Sequence, residues 1–223
     1  MAYDETIRLA LTGRAAVYKT LQAALANEPD ALVLGLLAGV DLVDVLGAFG
    51  LDETEALDVK VRAGEVLAGG QDAMDALEGT YNRLFVGPTV LEAGPWESLY
   101  KTTENVLFCE TTLEVRKAYV AQGFIPNNYP HVSDDHVALE LDFMRLLAEQ
   151  ALDACEAGDD ETAKAKLRAQ ADFLADHLNV WLPKFAKKAT AAEHGAFYGP
   201  VAAVARDWAR FDAELVGELL AAL

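Results

Sequence analysis

The chain has 223 residues, of which 36 are Asp or Glu and 18 are Lys or Arg, so its formal net charge at pH 7 is −18. This charge argues strongly against nucleic acid as a partner, because phosphates require a basic protein face for most of their affinity. The negative electrostatic field of such a protein attracts basic peptide segments and repels anionic membranes. A need for solubility alone would also explain the acidic composition.

The amino-terminal half is predicted to be helical. It is rich in Ala and Leu and has no run of alternating β-branched residues, which favours an all-α fold. The start of the chain is acidic and lacks the basic and apolar pattern of a secretory signal, so we expect a cytoplasmic protein. Apolar spacing predicts four helices before Gly87, at about residues 4–27, 32–43, 52–67 and 72–84.

An apolar run lies in the second of these helices. It extends over ten residues, Ala31 to Val40, and is closed by Asp41 and Asp44. A membrane-spanning helix needs about twenty apolar residues. The run therefore predicts a buried core helix and no direct membrane insertion.

The carboxyl-terminal half is also predicted to be helical. A loop at 89–95 leads into a long helix that ends near Gln122, and an aromatic-rich connection at 123–133 is the best candidate for a hinge. Another helix is predicted from Asp134 to Ala157, with Ser133 as its cap. Three further helices are predicted, through 167–178, 181–192 and from Pro200 to the carboxyl end.

Three blocks of sequence carry a resemblance to a known family. The first is Tyr-Asn-Arg-Leu-Phe-Val-Gly-Pro at 81–88, followed by Pro-Trp-Glu-Ser-Leu-Tyr at 95–100. The second is Asp135-His136 with the following Glu-Leu and Phe-Met pairs at 140–144, and the third is the stretch 173–181 followed by Phe197-Tyr198. In order and content they resemble the TorD/DmsD/NarJ family of molybdoenzyme assembly chaperones over roughly residues 72–210.

The resemblance implies a single helical domain over 1–223, with about 8–10 helices and a hinge near the Asp-His pair. It implies a chaperone, not an enzyme, that binds the twin-arginine leader and apo form of a molybdopterin oxidoreductase subunit. Some members of the family bind guanine nucleotides weakly and some exchange halves to form dimers, so either a monomer or a homodimer with exchanged halves is expected. No cofactor is expected here, because the chain has no GxxxxGK(S/T) phosphate loop. One departure is Asp134, which stands where the family usually has proline and makes the helix start more acidic.

Aromatic residues near the first block are candidates for the wall of a peptide groove. Phe85, Trp96 and Tyr100 surround a loop instead of continuing a helical stripe, and loop aromatics beside Gly and Pro suit an apolar peptide. The alternative is ordinary loop packing. Arg83 is either a ligand contact or, more simply, a cation that bonds the last carbonyls of its helix.

The acidic residues of the second block are candidates for contacts with the leader. Asp134 and Asp135 are expected to accept hydrogen bonds from guanidinium groups, for which bidentate pairing is selective. His136 lies four residues before Glu140, so the two are expected to pair and keep the imidazole protonated near neutrality. The alternative is a capping Asp with a structural His at a hinge. Glu97 and Glu104 are candidates for an acidic rim.

Other conspicuous residues are predicted to be structural. Phe143, Met144, Trp181 and Trp208 fit core positions at helical spacing, and His177 and His194 receive no role because they lack ligand-like spacing. The two cysteines, Cys109 and Cys155, are far apart, which argues against a zinc site or a redox pair and favours small core residues.

Three alternative functions remain open from the sequence. One is a nitrate-reductase-type assembly chaperone whose client subunit is not exported. A second is a helical metallohydrolase using His131, Asp134, Asp135 and His136, although the order of Asp and His differs from that of the familiar helical hydrolases. The third is a purely structural adaptor.

Overall fold

The computed structural model describes residues 5–39, 41–88, 90–101, 107–126 and 132–223. Within these ranges the chain is helical and contains no strand longer than an isolated bridge. The predicted all-α class with 8–10 helices is confirmed. The described α-helices are α1 (Glu5–Ala26), α2 (Ala31–Ala38), α3 (Asp41–Ala48), α4 (Thr54–Tyr81), α5 (Ser98–Lys101), α6 (Glu110–Ala121), α7 (Val137–Ala157), α8 (Asp160–Phe173), α9 (Asn179–Ala191) and α10 (Tyr198–Ala222).

The break predicted between the third and fourth helices lies at Gly70, within α4. The two predicted helices, 52–67 and 72–84, form one element in the structure, but Gly70 within it has φ 69° and ψ −150°. This conformation is outside the helical region and is adopted almost only by glycine. The element is therefore kinked at Gly70, and it continues past Tyr81 as a π-helical turn, Asn82–Val86.

The apolar segment Ala31–Ala48 forms two short helices, α2 and α3, where one was predicted. Gly39 ends α2 in an extended conformation. By length and composition alone the segment could cross a membrane, with a mean hydropathy of 2.0, and 31% of it is buried. The prediction of a buried core helix therefore holds for residues such as Leu34 and Leu37 but is wrong for Leu32, which is 85% exposed.

The long helix predicted from the Tyr100 region to Gln122 is divided in the structure. The short helix α5 ends at Lys101 and α6 begins at Glu110, while residues 107–109 form a bend in which Phe108 has a positive φ of 59°. The half-buried Cys109 directly precedes α6, whereas Cys155 lies in the core as predicted. Part of the candidate hinge, residues 127–131, lies outside the described residues, and the hinge stays a prediction.

Helix α7 is central in the fold. It packs most extensively against α1 and also against α8, while α9 packs against α10 and α2 against α4. Its inward face contributes Phe143 and Met144 to one continuous core, which also contains Trp181 and Trp208, as predicted. Gly158 ends α7 in the left-handed conformation, and the next residue caps α8. Helix α7 therefore connects α1 with α8.

Candidate functional site

The first two of the three sequence blocks that carry the resemblance meet in the structure. An isolated antiparallel bridge pairs Trp96 with His136, and the backbone N–H of Val137 donates to the carbonyl of Pro95 at 2.9 Å. The rings of Trp96 and His136 meet edge to face, with centroids 5.3 Å apart. The aromatic loop is thus fastened directly to the amino-terminal end of α7.

Asp135 lies inside this junction. Its side chain is 0% exposed and accepts hydrogen bonds from the backbone N–H of Ser98 at 2.9 Å, from the hydroxyl of Thr112 at 3.1 Å and from the hydroxyl of Ser133. Its carbonyl accepts the N–H of Glu97 at 3.0 Å. The predicted contact between Asp135 and a leader guanidinium is not supported by this geometry, because both carboxylate oxygens are buried and already bonded. Asp135 positions the aromatic loop and the start of α6.

Asp134 is buried as well, but it already binds an arginine of the chain. Its Oδ2 accepts hydrogen bonds from Nε of Arg116 at 2.9 Å and from a terminal nitrogen of the same guanidinium at 2.5 Å. Its carbonyl accepts the hydroxyl of Tyr119 at 3.0 Å. The carboxylate that stands in place of the usual proline therefore ties the start of α7 to α6, and the geometry does not support its predicted role as a ligand contact.

His136, not Ser133, caps α7. Its Nδ1 accepts the backbone N–H of Ala138 at 3.1 Å, which requires that Nδ1 carry no proton. The predicted pairing with Glu140 and the predicted charged imidazole are wrong, since burial lowers the pKa of His136 to about 4. In the neutral ring the proton is on Nε2. No residue in the described part of the chain accepts it.

Glu97 belongs to a buried polar cluster below the loop, not to an acidic rim. Its carboxylate is 0% exposed and contacts Nδ1 of His177 at 2.9 Å and Nζ of Lys101 at 3.0 Å. The neighbouring Glu140 accepts the indole N–H of Trp181 at 2.9 Å, and burial, followed by the charge of Glu97, raises the pKa of Glu140 well above its usual range. The rim prediction for Glu97 is wrong. Its counterpart Glu104 lies outside the described residues.

This cluster was missed by sequence reasoning. Glu97 and His177 are 80 residues apart and share no motif, so no local pattern could have paired them. The same is true of His194, whose Nδ1 lies 2.6 Å from a carboxylate oxygen of Glu92. His177 and His194, to which their spacing in the sequence gave no role, therefore each have a carboxylate partner. Both His–Glu pairs link the chain between α4 and α5 to the carboxyl-terminal part of the fold.

Tyr100 and Arg83 lie away from the junction of the two blocks. Tyr100 stacks on Trp181 with ring centroids 5.5 Å apart, and its hydroxyl donates to the carbonyl of Gly94 at 2.9 Å, which is loop packing. Arg83 is exposed near Glu92, whose pKa is lowered chiefly by hydrogen bonds from His194 and to a lesser extent by Arg83. Neither side chain lines the cleft described next.

A cleft of about 730 Å³ opens beside the junction. Of the predicted site residues, Phe85, Trp96 and His136 line it. Its remaining walls come mainly from α7 and from the chain that follows α6, with Phe124, Ile125, Leu139, Phe143 and Leu146 among the apolar contributors. A volume of this size with aromatic walls is typical of a ligand site. The structure thus brings together the aromatic wall and His136, and it places both aspartates behind that wall.

Comparison with known proteins identifies the family. The family described as nitrate reductase delta subunit matches residues 51–187, more than half of the chain. The chain belongs to this family. The matched range contains both sequence blocks, the bridge between them and most of the cleft.

The chain is also similar to individual members of the TorD chaperone group. It is 29% identical over 174 residues to chaperone protein TorD of Vibrio cholerae, covering 76% of this chain and 77% of the relative. It is 27% identical over 208 residues to TorD of Vibrio parahaemolyticus, covering 92% and 95%. The resemblance drawn from the sequence is confirmed, and relatives named as chaperones support the prediction of a role that is not enzymatic.

A solved structure shows the same fold. The crystal structure of a protein from Archaeoglobus fulgidus, described as a redox enzyme maturation protein, superposes with a TM-score of 0.52 and 19% sequence identity. The match covers 87% of this chain and 91% of the other. The two proteins therefore share a helical fold at low sequence identity.

The cap formed by His136 predicts a pH dependence of stability. Between about pH 6.5 and pH 4 the unfolded chain takes up a proton at this residue and the folded protein does not, because burial lowers the pKa of His136 to about 4. The contribution of His136 to the free energy of unfolding is therefore complete above pH 6.5 and is lost as the pH falls toward 4. Substitution His136→Asn keeps a capping side chain but removes this titration. It is expected to reduce the acid-induced loss of the free energy of unfolding by about 2–3 kcal/mol.

Urea unfolding of both proteins at neutral pH and near pH 4.5 checks this prediction. Glu140 and the other carboxyl groups are present in both proteins, so their titration cancels in the difference between them. Equal acid-induced losses in the two proteins would show that the imidazole is already protonated in the folded state.

Proposed function

We propose that this protein is a cytoplasmic chaperone that binds the twin-arginine leader and the apo catalytic subunit of a molybdopterin-containing oxidoreductase, and that it aids cofactor insertion before export. The observation that carries the proposal is the cleft at the junction of the aromatic loop with α7, in a chain of the delta subunit family. The cleft offers an apolar surface to the hydrophobic segment of a leader, and it is part of a strongly acidic protein.

The aromatic part of the cleft suits an uncharged peptide segment. Trp96 is partly exposed and provides aromatic surface, whereas Phe85 lines the cleft but is only 2% exposed. Large aromatic side chains dominate the binding energy of such contacts. Beside them, the Nε2–H of His136 is a donor without an acceptor in the described part of the chain, and a peptide carbonyl would satisfy it. Binding thus combines burial of apolar side chains with a hydrogen bond to the peptide backbone.

The charge of the protein acts over a longer distance. A net charge of −18 attracts a basic leader and accelerates its association at low ionic strength. Salt screens this attraction, so the affinity for the leader should fall as the salt concentration rises. The two arginines of the leader are the groups on which this effect acts.

Substitution Trp96→Ala is expected to weaken leader binding by more than about tenfold, because it removes an aromatic wall of the cleft. The measurement is titration calorimetry of the full chain with a synthetic leader of a reductase encoded beside its gene. Phe108→Ala is the matched control, since Phe108 is 64% exposed and does not line the cleft. Its affinity should equal that of the unsubstituted protein.

Two results would contradict the proposed function. One is the absence of any heat change with the leader at micromolar protein. The other is an affinity that stays the same when both leader arginines are replaced by alanine.

A second candidate is assembly of a subunit that is not exported, as in the nitrate-reductase branch. The description of the matching family, nitrate reductase delta subunit, favours it. Calorimetry with the amino-terminal peptide of such a subunit, in parallel with a twin-arginine leader, separates the two. Tighter binding of the peptide without paired arginines would favour the second candidate.

The metallohydrolase alternative gains no support. Asp134 and Asp135 are engaged with Arg116 and with neighbouring hydroxyls, and Nδ1 of His136 caps α7. In the ranges that the structure describes, no group of three or more His, Cys, Asp and Glu side chains could hold a metal, and His131 lies outside them. Elemental analysis of the purified protein is the direct check. The oligomeric state, monomer or homodimer with exchanged halves, stays a prediction.

A further inference from the structure

One wall of the cleft carries charged side chains whose role the fold does not explain. Asp142 and Arg145 both line the cleft. They belong to α7, and Glu149 belongs to the same helix. The Nε of Arg145 donates to Oδ1 of Asp142 at 2.9 Å, and its Nη1 donates to Oε2 of Glu149 at 2.6 Å. One guanidinium is therefore shared by two carboxylates, each of which uses a single oxygen.

This group has unused capacity for a cation. Oδ2 of Asp142 and Oε1 of Glu149 have no hydrogen-bond partner in the described residues. Two carboxylates and one guanidinium leave one negative charge, which one further guanidinium would neutralise. All three side chains are partly exposed, so a ligand can reach them, whereas Asp134 and Asp135 are buried and bonded.

The surroundings favour arginine over a more strongly hydrated cation. Apolar side chains of Leu139, Phe143 and Leu146 line the same cleft on either side of Asp142 in sequence. A guanidinium is planar and weakly hydrated and tolerates such walls, while an ammonium group loses more hydration. His136, at the start of the same helix, also lines the cleft, and its Nε2–H has no acceptor in the described part of the chain.

We propose that Asp142 is the carboxylate of the cleft that binds an arginine side chain of the client peptide, and that Arg145 is an internal competitor for it. This inference rests on the proposed function and assigns its arginine contact to a residue outside the Asp-His pair. When the peptide binds, its guanidinium pairs with Asp142 while Arg145 keeps its bond to Glu149. The charges of the group are then balanced, two cations with two anions.

A double-mutant cycle by titration calorimetry tests the inference. The probes are the synthetic leader and the same peptide with its paired arginines replaced by alanine, each titrated into the full chain. Asp142→Asn should weaken binding of the arginine peptide by roughly tenfold, the scale of a charge-assisted hydrogen bond, and leave the alanine peptide unaffected. Asp153→Asn is the matched control, because Asp153 is an exposed acid of the same helix outside the cleft.

A second variant moves the affinity in the opposite direction. Arg145→Met keeps the apolar stem of the side chain and leaves both carboxylates free, so it should strengthen binding of the arginine peptide by roughly threefold or more. A misfolded variant cannot produce this gain. Binding of the alanine peptide should again be unchanged.

The outcomes separate the inference from the proposed function. If the arginine peptide binds more tightly than the alanine peptide but Asp142→Asn weakens neither or both equally, the assignment of Asp142 is overturned and the leader-binding function stands. A loss of affinity in Arg145→Met overturns the competitor role. If the unsubstituted protein binds neither peptide, both the function and the inference are overturned.

Discussion

Substitution Asp212→Ala is expected to lower the free energy of unfolding by about 3–5 kcal/mol, because it leaves a buried guanidinium without its counter-ion. Asp212 of α10 binds Arg14 of α1 through two contacts, Nε to Oδ1 at 2.5 Å and Nη2 to Oδ2 at 3.0 Å, and both side chains are 0% exposed. The hydroxyl of Tyr18 donates to the same carboxylate at 2.6 Å. Gln170 of α8 accepts the other bond of Nη2, at 2.5 Å.

This group connects three helices, which is why its loss should affect the whole fold. Burial alone would lower the pKa of Arg14, but the charge and hydrogen bonds of Asp212 outweigh it, and the pKa is raised. An arginine side chain is effectively never deprotonated in proteins, so the guanidinium stays charged when Asp212 is removed. A buried charge without a partner is much more costly than an absent ion pair.

Urea unfolding followed by circular dichroism measures the effect. The double substitution Arg14→Met with Asp212→Leu is the informative control, since it removes both charges and should recover most of the stability lost in Asp212→Ala. A double variant as unstable as the single one would show that packing around the pair, not the uncompensated charge, is responsible.

Substitution Asp135→Ala is expected to lower the free energy of unfolding by about 3 kcal/mol, because it leaves the N–H of Ser98 and two hydroxyl groups without their buried acceptor. Asp135→Asn should lower the free energy of unfolding by less than Asp135→Ala does. The amide oxygen can still accept the N–H of Ser98, and the amide nitrogen can donate to the hydroxyl oxygens of Thr112 and Ser133.

The same urea experiment distinguishes a positioning role from direct contact with a ligand. Asp153→Ala, an exposed substitution on α7, should change the stability by no more than about 0.5 kcal/mol. If Asp135→Ala left the stability unchanged but abolished leader binding, Asp135 would contact the ligand, and its position behind the wall of the cleft would have to change on binding.

Much of the fold could be predicted because its signals are local. The spacing of apolar residues predicted α1 within one residue at each end, and the break predicted between residues 67 and 72 is a kink at Gly70 in α4. The bend before α6 was missed, because the residues around Phe108 resemble their helical neighbours in composition. The sequence favours Ser133 as the cap of α7, because serine is a common capping residue, but in the structure its hydroxyl is bonded to Asp135 and His136 forms the cap.

The site could be located but not interpreted from the sequence. The motif pointed to Trp96 and His136, and the structure shows that they meet at a cleft. The motif could not reveal that Asp135 is buried, because its partners Ser98 and Thr112 come from other parts of the chain. The sequence gives no signal for Asp142, since a single acidic residue on a helix has no distinguishing pattern.

The sequence by itself determined the helical class, the acidic character and membership of a chaperone family, because periodicity, composition and motif are properties of neighbouring residues. Only the tertiary structure decided which of the acidic residues are accessible. Whether a carboxylate faces a ligand or the core depends on which distant helices pack over it, and desolvation by that packing also decides the charge of His136.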